Sequence, residues 1–261
     1  MEEITKTTST GSLPDLGGRI ALVTGGTTGI GRAIAELSHR AGARVVVTGR
    51  SPATLEQARR ELPEGILVLE ADARSIDDAT RVAAELTKRF GRLDIAFLNA
   101  GIAQLAPFEA VDELHYAEHM DVNVKGAVFT LQKVLPLMGA GGSVVFTTSI
   151  ADAKGSANLS IYAASKGAIA ALMRSLAIEL AGRQIRVNAV SPGPTATPIQ
   201  EKFGLPPEVL ASVTQAMSAK IPLGRYGTAH EIASVALFLA SPAASFITGV
   251  EIATDGGLLA A

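Results

Sequence analysis

"RIALVTGGTTGIG", residues 19–31, joins a short apolar run to a glycine-rich turn and then to a segment with helical spacing. The apolar run predicts a buried strand. Gly25, Gly29 and Gly31 allow a sharp turn in which the backbone approaches a pyrophosphate, whose charge would lie against the amides at the start of the next helix. A turn that only requires positive φ is the structural alternative. The place of this turn, directly after the first strand of an alternating pattern, favours the binding interpretation.

Seven short runs rich in Val, Ile and Leu alternate with longer segments of helical period. The runs begin at residues 19, 43, 65, 93, 142, 185 and 250. Because they are apolar on both faces, they predict strands covered by helices on both sides, as in a parallel sheet. The expected fold is therefore α/β and doubly wound, a Rossmann-like fold with a seven-stranded parallel sheet.

Helices are expected between these strands. The predicted ranges are 29–40, 52–62 with Ser51 as N-cap and Pro52 at the first helical position, 76–90, 109–138, 160–181 and 229–239. Residues 1–16 offer little to bury and predict a loosely held tail, so that residues 17–261 form a single domain. A stretch rich in Pro and Gly at about 194–225 interrupts the alternation and predicts a substrate lid.

Composition excludes several classes of function. The formal net charge of the 261 residues is −2 and the basic residues are dispersed, so we expect neither a nucleic-acid partner nor a membrane partner. The chain has no cysteine, which excludes disulfides, thiolate zinc sites and thiol nucleophiles. The leader is acidic and lacks an apolar segment, and no run of about 18 apolar residues appears. The cytoplasm is the expected location.

Tyr162 and Lys166 stand four positions apart on a predicted helix that is mostly apolar, so they project from the same face. Ser149 ends the preceding strand at the sheet edge where ligands bind in such folds. An ammonium next to a phenol favours the phenolate, so Lys166 is expected to lower the pKa of Tyr162 and suit it to proton transfer. The alternative is a surface tyrosine beside a lysine that reaches into solvent.

Six motifs in order resemble those of the short-chain dehydrogenase/reductases. They are TGxxxGxG at 24–31, NAG at 99–101, NVKG at 123–126, Ser149, YxxxK at 162–166 and SPGPTATP at 191–198. The resemblance runs from about residue 18 to residue 257, and Leu98 replaces the Asn that usually precedes NAG. It implies an NAD(P)-dependent oxidoreductase that interconverts a carbonyl and an alcohol by hydride transfer.

The resemblance also assigns residues. Tyr162 would be the general acid/base, Ser149 would hydrogen-bond the substrate oxygen, Lys166 would also hold the nicotinamide ribose, and Asn123 would anchor a water for proton relay. The implied cofactor contacts are Gly25, Thr28, Gly29, Ile30, Gly31, Arg50, Asp72, Ala73, Asn99, Ala100, Gly101, Tyr162, Lys166, Pro192, Gly193, Thr195 and Thr197. For Asp72 a plain helix N-cap is the alternative.

Arg50 predicts a preference for NADP(H) over NAD(H). At the end of the second strand, NAD enzymes generally carry a carboxylate for the ribose 2′-hydroxyl, whereas this chain has Thr48, Gly49 and Arg50. An arginine beside a small residue leaves room for a 2′-phosphate and can bind it through charge-assisted hydrogen bonds. The alternative is that Arg50 stacks on the adenine or points into water.

The expected substrate pocket is mainly apolar and favours a ketone or aldehyde with apolar groups over a sugar. Its predicted residues are Ile150, Ala151, Leu159, Ile199 and Phe203, with Leu205 and Met217 from the lid. A 3-oxoacyl-acyl carrier protein reductase and a sugar dehydrogenase stay open as alternatives. So does a dinucleotide sensor without activity, whereas the Tyr–Lys spacing argues against an enoyl reductase.

The remaining patterns concern metals and assembly. His115 and His119 stand four apart with no third ligand evident, so they predict an exposed helix face and no metal site. The Ser160 helix has more apolar surface than one sheet should cover, and in the family it packs on a symmetry mate. A homotetramer or homodimer is therefore expected.

Overall fold

The computed structural model describes residues 14–197 and 207–261, and it contains the predicted sheet. Its seven strands are β1 (Ile20–Val23), β2 (Arg44–Gly49), β3 (Leu67–Glu70), β4 (Leu93–Leu98), β5 (Met138–Thr147), β6 (Arg186–Pro192) and β9 (Glu251–Thr254). All neighbours pair in parallel in the order β3-β2-β1-β4-β5-β6-β9. Two-residue strands β7 (Thr195–Ala196) and β8 (Gly227–Thr228) pair separately. The prediction of a doubly wound seven-stranded parallel sheet is confirmed.

Eight α-helices within the described residues connect these strands. They are α1 (Gly29–Arg40), α2 (Pro52–Glu61), α3 (Ile76–Phe90), α4 (Glu113–His119), α5 (Gly126–Val134), α6 (Ser160–Glu179), α7 (Pro207–Ser218) and α8 (Ala229–Ala240). One apolar cluster lies between the sheet and helices α1, α2 and α8, and a second lies between the sheet and α3, α5 and α6. Burial on both faces explains why the strands are continuously apolar.

Packing against the domain already begins within the predicted tail of residues 1–16. Leu16 is only 1% exposed and its N–H donates to the carbonyl of Ala41 at 2.8 Å. Residues 1–13 lie outside the described residues. Ser51 stands at the N-cap of α2 with Pro52 at the first helical position, yet the Ser51 side chain makes no capping hydrogen bond.

The single helix predicted over residues 109–138 is wrong. The chain there forms a short 3₁₀ turn (Phe108–Ala110), α4, a π-helical segment (Met120–Lys125), α5 and a second 3₁₀ turn (Leu135–Leu137), and Met138 already belongs to β5. Inside the π-helical segment the side chain of Asn123 bonds both backbone groups of Ile102. Such single-turn π segments are frequent at functional sites and leave no trace in the hydrophobic period.

Helix α6 is long and apolar enough to cross a membrane by length and composition alone. It carries Lys166 and Arg174 within its length. Its Ile169, Met173 and Ala177 are buried against the sheet, which identifies it as a core helix of the α/β layer.

The glycine-rich turn is packed so closely that side chains are excluded. Gly25 has φ +64°, and a Cβ on it would lie 2.9 Å from the Cα of Ala100. A Cβ on Gly31 would lie 2.3 Å from the carbonyl oxygen of Gly25 and 2.5 Å from Nδ2 of Asn99. The first turn of α1 therefore rests directly on the backbone of the preceding turn.

We expect Gly31→Ala to lower the free energy of unfolding by about 1–3 kcal/mol, because backbone must move to accept the new methyl group. Gly182→Ala is the matched control, since a Cβ there meets nothing within 4 Å. Its unfolding free energy should stay within about 0.5 kcal/mol of wild type or rise slightly. Urea denaturation of both variants measures the difference. Equal stability of the two would contradict the close packing of the turn.

Candidate active site

The four predicted catalytic residues come together near the carboxyl ends of β4 and β5. Ser149 follows β5 and opens a 3₁₀ turn (Ile150–Asp152), Tyr162 and Lys166 lie one turn apart on α6, and Asn123 lies in the π-helical segment. This is the edge at which ligands bind in open α/β sheets.

Ser149 is held toward the phenol. Its side chain is buried, and Oγ accepts a hydrogen bond from the N–H of Ala151 at 3.2 Å. The same side chain forms a hydrogen bond with Tyr162. The turn after β5 thus orients one hydroxyl at the phenolic oxygen.

The pKa of the Tyr162 phenol is raised above its ordinary value, and burial is the main cause. The hydrogen bond with Ser149 opposes this shift, while the negative charge of Asp152 adds to it. The expectation that Lys166 lowers this pKa does not hold. The Lys166 ammonium lies 5.8 Å from the centre of the phenol ring and is bound elsewhere.

Lys166 is buried, with only 5% of its surface exposed. Its Nζ donates to the carbonyl of Thr147 at 2.7 Å, which joins α6 to the end of β5. Burial lowers the pKa of Lys166 to about 8, and the charge of Asp152 acts in the opposite direction. The lysine is therefore poised to change protonation state at moderately alkaline pH.

Asn123 fixes the loop after β4. Its Oδ1 accepts from the N–H of Ile102 at 2.8 Å, and its Nδ2 donates to the carbonyl of Ile102 at 3.0 Å and to Oγ of Ser165 at 2.9 Å. A Cβ on Gly101 would lie 3.2 Å from Oδ1 of Asn123 and 3.3 Å from Nζ of Lys166. Asn123 and Lys166 therefore converge beside Gly101, and a glycine keeps the space between them open.

The N-terminus of α1 suits an anionic ligand. Thr28 is the N-cap residue but its side chain caps no amide, and the first turn of α1 has no acidic residue. The backbone N–H groups there are consequently available to a pyrophosphate. Asn99 stabilises the glycine-rich turn, because its Nδ2 donates to the carbonyls of Thr24 and Gly25. The residues present fit a dinucleotide.

Asp72 follows β3 and is engaged by two arginines. Arg74 binds it through Nε and Nη2 with distances of 2.6–3.1 Å, and Nη1 of Arg50 lies 3.9 Å from Oδ2. Hydrogen bonds from Arg74 are the largest cause that lowers the pKa of Asp72. Ser75, and not Asp72, caps α3. The contact of Arg74 with Asp72 was not predicted from the sequence. Ala73, between them in the chain, lies against Gly126.

The segment after β6 approaches the same edge. The N–H of Gly193, next to Pro192, donates to the carbonyl of Thr254, and Oγ1 of the buried Thr195 donates to the carbonyl of Gly193 at 2.9 Å. Thr197 is the last residue described before the gap. The predicted cofactor residues of this segment are thus tied to the end of β9.

The predicted pocket residues are only partly described. Ile150 is buried in a small apolar cluster with Ile221 and Leu258, against which Met217 and Tyr226 pack. Ala151 is buried and Leu159 is half-buried at the N-cap of α6. Ile199, Phe203 and Leu205 lie outside the described residues.

Sequence reasoning missed Ile221, Tyr226 and Leu258 as neighbours of Ile150. Leu258 belongs to the turn after β9, where the apolar pair "LL" after two glycines was the available signal. Lys154 binds this turn, since its Nζ donates to the carbonyl of Leu258 at 2.7 Å. The turn after Ser149 is therefore attached to the segment that follows the last strand.

The expectation of an exposed histidine pair is wrong for His119. Its ring is fully buried, Nε2 accepts from the N–H of Gln104 at 3.1 Å, and Nδ1 contacts the carbonyl of His115 at 2.8 Å. The ring stands edge-on to Tyr162, with centroids 6.5 Å apart. Burial lowers the pKa of His119, so the imidazole is held neutral. Within the described ranges, no three His, Cys, Asp or Glu residues are placed to hold a metal ion.

Comparison with known proteins agrees with this geometry. A family model described as "Enoyl-(Acyl carrier protein) reductase" matches residues 25–259. The 3-oxoacyl-[acyl-carrier-protein] reductase FabG of Thermotoga maritima is 36% identical, covering 94% of this chain and 99% of its own length. The L-xylulose reductase of Bos taurus is 37% identical, covering 94% and 98%.

Solved structures give the same result. A short-chain dehydrogenase/reductase of the glucose/ribitol dehydrogenase type from Brucella melitensis superposes with a TM-score of 0.88 at 36% identity, over 95% of this chain and 99% of its own. Levodione reductase superposes with a TM-score of 0.88 at 34% identity, over 93% and 98%. The chain belongs to the short-chain dehydrogenase/reductase family and is an NAD(P)-dependent oxidoreductase that interconverts a carbonyl and the corresponding alcohol.

Proposed function

We propose that the protein is an NADP-preferring ketoreductase in which Tyr162 is the general acid and base. The observation that carries this proposal is the convergence of Ser149, Tyr162, Lys166 and Asn123 beside the open glycine turn. A nicotinamide dinucleotide supplies the hydride when it is bound. The residues of the chain handle the proton.

Each side chain has a distinct task in this proposal. The Tyr162 hydroxyl gives its proton to the carbonyl oxygen during reduction and recovers one from the alcohol during oxidation. Ser149 donates a hydrogen bond to the same substrate oxygen. Lys166 binds the nicotinamide ribose and places a positive charge near the phenol, and Asn123 anchors a water that resupplies the proton.

Tyr162→Phe should reduce kcat for an accepted ketone by about 10²- to 10⁴-fold, because the proton donor is lost while the fold and the dinucleotide site remain. Nicotinamide absorbance measures turnover, and fluorescence titration of NADPH measures binding. Tyr116→Phe is the matched control, since Tyr116 is 51% exposed on α4, and it should keep wild-type kcat. Wild-type turnover in Tyr162→Phe would disprove the assigned role.

The NADP preference is supported by the arginines at the ends of β2 and β3. Arg74 neutralises the Asp72 carboxylate, so Arg50 is left with a distant 3.9 Å ion pair and 53% side-chain exposure. A 2′-phosphate in this region would meet the guanidinium groups of Arg50 and Arg74. Hydrogen bonds to charged groups contribute about 1.5–3 kcal/mol, which corresponds to roughly one to two decades in affinity.

Arg50→Gln should therefore lower the ratio of kcat/KM with NADPH to that with NADH by about 10- to 100-fold. This variant is preferable to an acidic residue at Gly49, where a Cβ would lie 2.7 Å from Cγ2 of Thr27. Arg60→Gln is the control, because Arg60 only pairs with Glu56 on the surface of α2. An Arg50→Gln enzyme with an unchanged ratio, or a wild type that prefers NADH, would reject the assignment.

We propose a ketone or aldehyde with apolar substituents as substrate. The support is the apolar cluster of Ile150, Ile221 and Leu258, because Ile150 directly follows Ser149. Relatives named as a 3-oxoacyl-[acyl-carrier-protein] reductase and an L-xylulose reductase keep the acyl and sugar substrates as second candidates. A sensor without activity is the candidate of a different class.

A carbonyl panel with both cofactors separates these candidates. Apolar cyclic ketones should give kcat/KM at least about tenfold above sugars of similar size, because each apolar group buried on that wall is worth about 1–3 kcal/mol. Higher kcat/KM for sugars or for acyl thioesters would select the second candidates. No turnover with any carbonyl, together with tight NADPH binding, would support the sensor.

We propose that the predicted lid, at about residues 194–225, covers the bound substrate. Its residues 198–206 lie outside the described residues, and the support comes from Met217 and Ile221, which pack with Ile150. We propose a homotetramer or homodimer, because Ile178 at the end of α6 and Phe246 before β9 are 79% and 103% exposed. The cytoplasm remains a prediction for its location.

A further inference from the structure

A pair of carboxyl groups lies behind the active site. Asp152 ends the 3₁₀ turn that begins after Ser149, and Glu251 opens β9, the last strand of the sheet. Both side chains are half-buried and within hydrogen-bonding reach of each other. Neither belongs to the four residues that handle the substrate proton.

The hydrogen bonds around this pair indicate that it holds a proton. Oδ2 of Asp152 is inaccessible to solvent and has no donor among the residues the structure describes. Oε1 of Glu251 accepts from Oγ1 of Thr148 at 2.5 Å. Two ionised carboxylates cannot bond each other, whereas one shared proton provides the missing donor. Burial, followed by the bond with Glu251 and its charge, raises the pKa of Asp152 to about 7.

The charged groups around Asp152 come from two elements. Glu251 faces it from β9, and Lys166 and Arg174 act on it from α6, where their charges favour the ionised carboxylate. The charge of Asp152 in turn raises the pKa of both Tyr162 and Lys166.

The turn reaches α6 next to the catalytic lysine. A Cβ on Gly167 would lie 4.0 Å from Cβ of Asp152. Lys154, in the same turn, is directed away from the pair to the carbonyl of Leu258. Asp152 is thus placed to act on Lys166 and Tyr162 through its charge, without a contact to substrate.

We infer that Asp152 and Glu251 are positioning residues that share one proton, and that the charge left when this proton departs keeps the Tyr162 phenol protonated and the Lys166 amine charged. The inference rests on the proposed role of Tyr162 for its consequence in catalysis. Above about pH 7 the shared proton has left and Asp152 is ionised, so its charge retains the phenol as an acid for carbonyl reduction. Below that pH the charge of Asp152 is lost and no longer raises the pKa of the Tyr162 phenol.

Asp152→Asn tests the pair, since the amide can still donate to Glu251 but carries no charge. We expect ionisation of Tyr162 to move to lower pH by about one unit. The chain has no tryptophan and three tyrosines, so near-ultraviolet phenolate absorbance of the cofactor-free protein, minus that of Tyr162→Phe, reports Tyr162. The alkaline limb of kcat/KM for ketone reduction should move in the same direction.

Glu251→Gln should give a different result. It leaves the Asp152 charge in place, so the phenol should ionise at the wild-type pH, whereas the inflection of kcat/KM near neutral pH should move to lower pH as Asp152 loses its carboxyl partner. Asp77→Asn, at an exposed site on α3, is the control and should match wild type in both measurements. Asp152→Ser replaces Asp152→Asn if the latter does not fold.

A phenol titration and a pH profile of Asp152→Asn that coincide with wild type would overturn the inference. Equal shifts in Asp152→Asn and Asp77→Asn would also do so, because they would reflect net charge alone. Failure of the proposed function is distinguished by Tyr162→Phe, which would then keep its turnover. The absorbance titration tests the pair independently of turnover.

Discussion

The hydrogen bond between Nζ of Lys166 and the carbonyl of Thr147 is the constraint on which the site depends. An ammonium buried to this degree would be costly unless a strong acceptor met it, and the last carbonyl of β5 does so. This bond fixes the rotation of α6 against the sheet. Tyr162, one turn earlier on the same face, is thereby set against Ser149, which begins the turn after β5.

A second set of hydrogen bonds connects the glycine-rich turn to the end of β5. Oγ1 of Thr24 accepts from the N–H groups of Asn99 and Ala100, and Oδ1 of Asn99 accepts from Oγ1 of Thr147. Thr147 therefore links the end of β5 to both the glycine turn and the lysine. Strands β1, β4 and β5 are adjacent in the sheet, so short side chains are enough to connect them.

Much of the fold could be predicted because its signals are local. Apolar runs located the strands, and helical period located the helices. The helices predicted over residues 29–40 and 76–90 have the observed bounds of α1 and α3. The π-helical segment at Asn123 could not be predicted from local signals, and its Asn123 bonds the backbone of Ile102, 21 positions away in the chain. The burial of His119 likewise depends on the backbone of Gln104. The Tyr162 pKa was predicted in the wrong direction because spacing reveals neighbours on one helix but not how much water surrounds them.

The apolar wall beside Ser149 comes from the far end of the chain. Leu258 reaches Ile150 from beyond the last strand, and Lys154 secures it through a carbonyl rather than through a side chain. A backbone acceptor is present whatever residue stands at that position. Mutations in the closing segment can therefore reshape this apolar wall while Ser149 and Tyr162 keep their positions, so the proposed substrate range and the proposed proton transfer depend on separate parts of the gene.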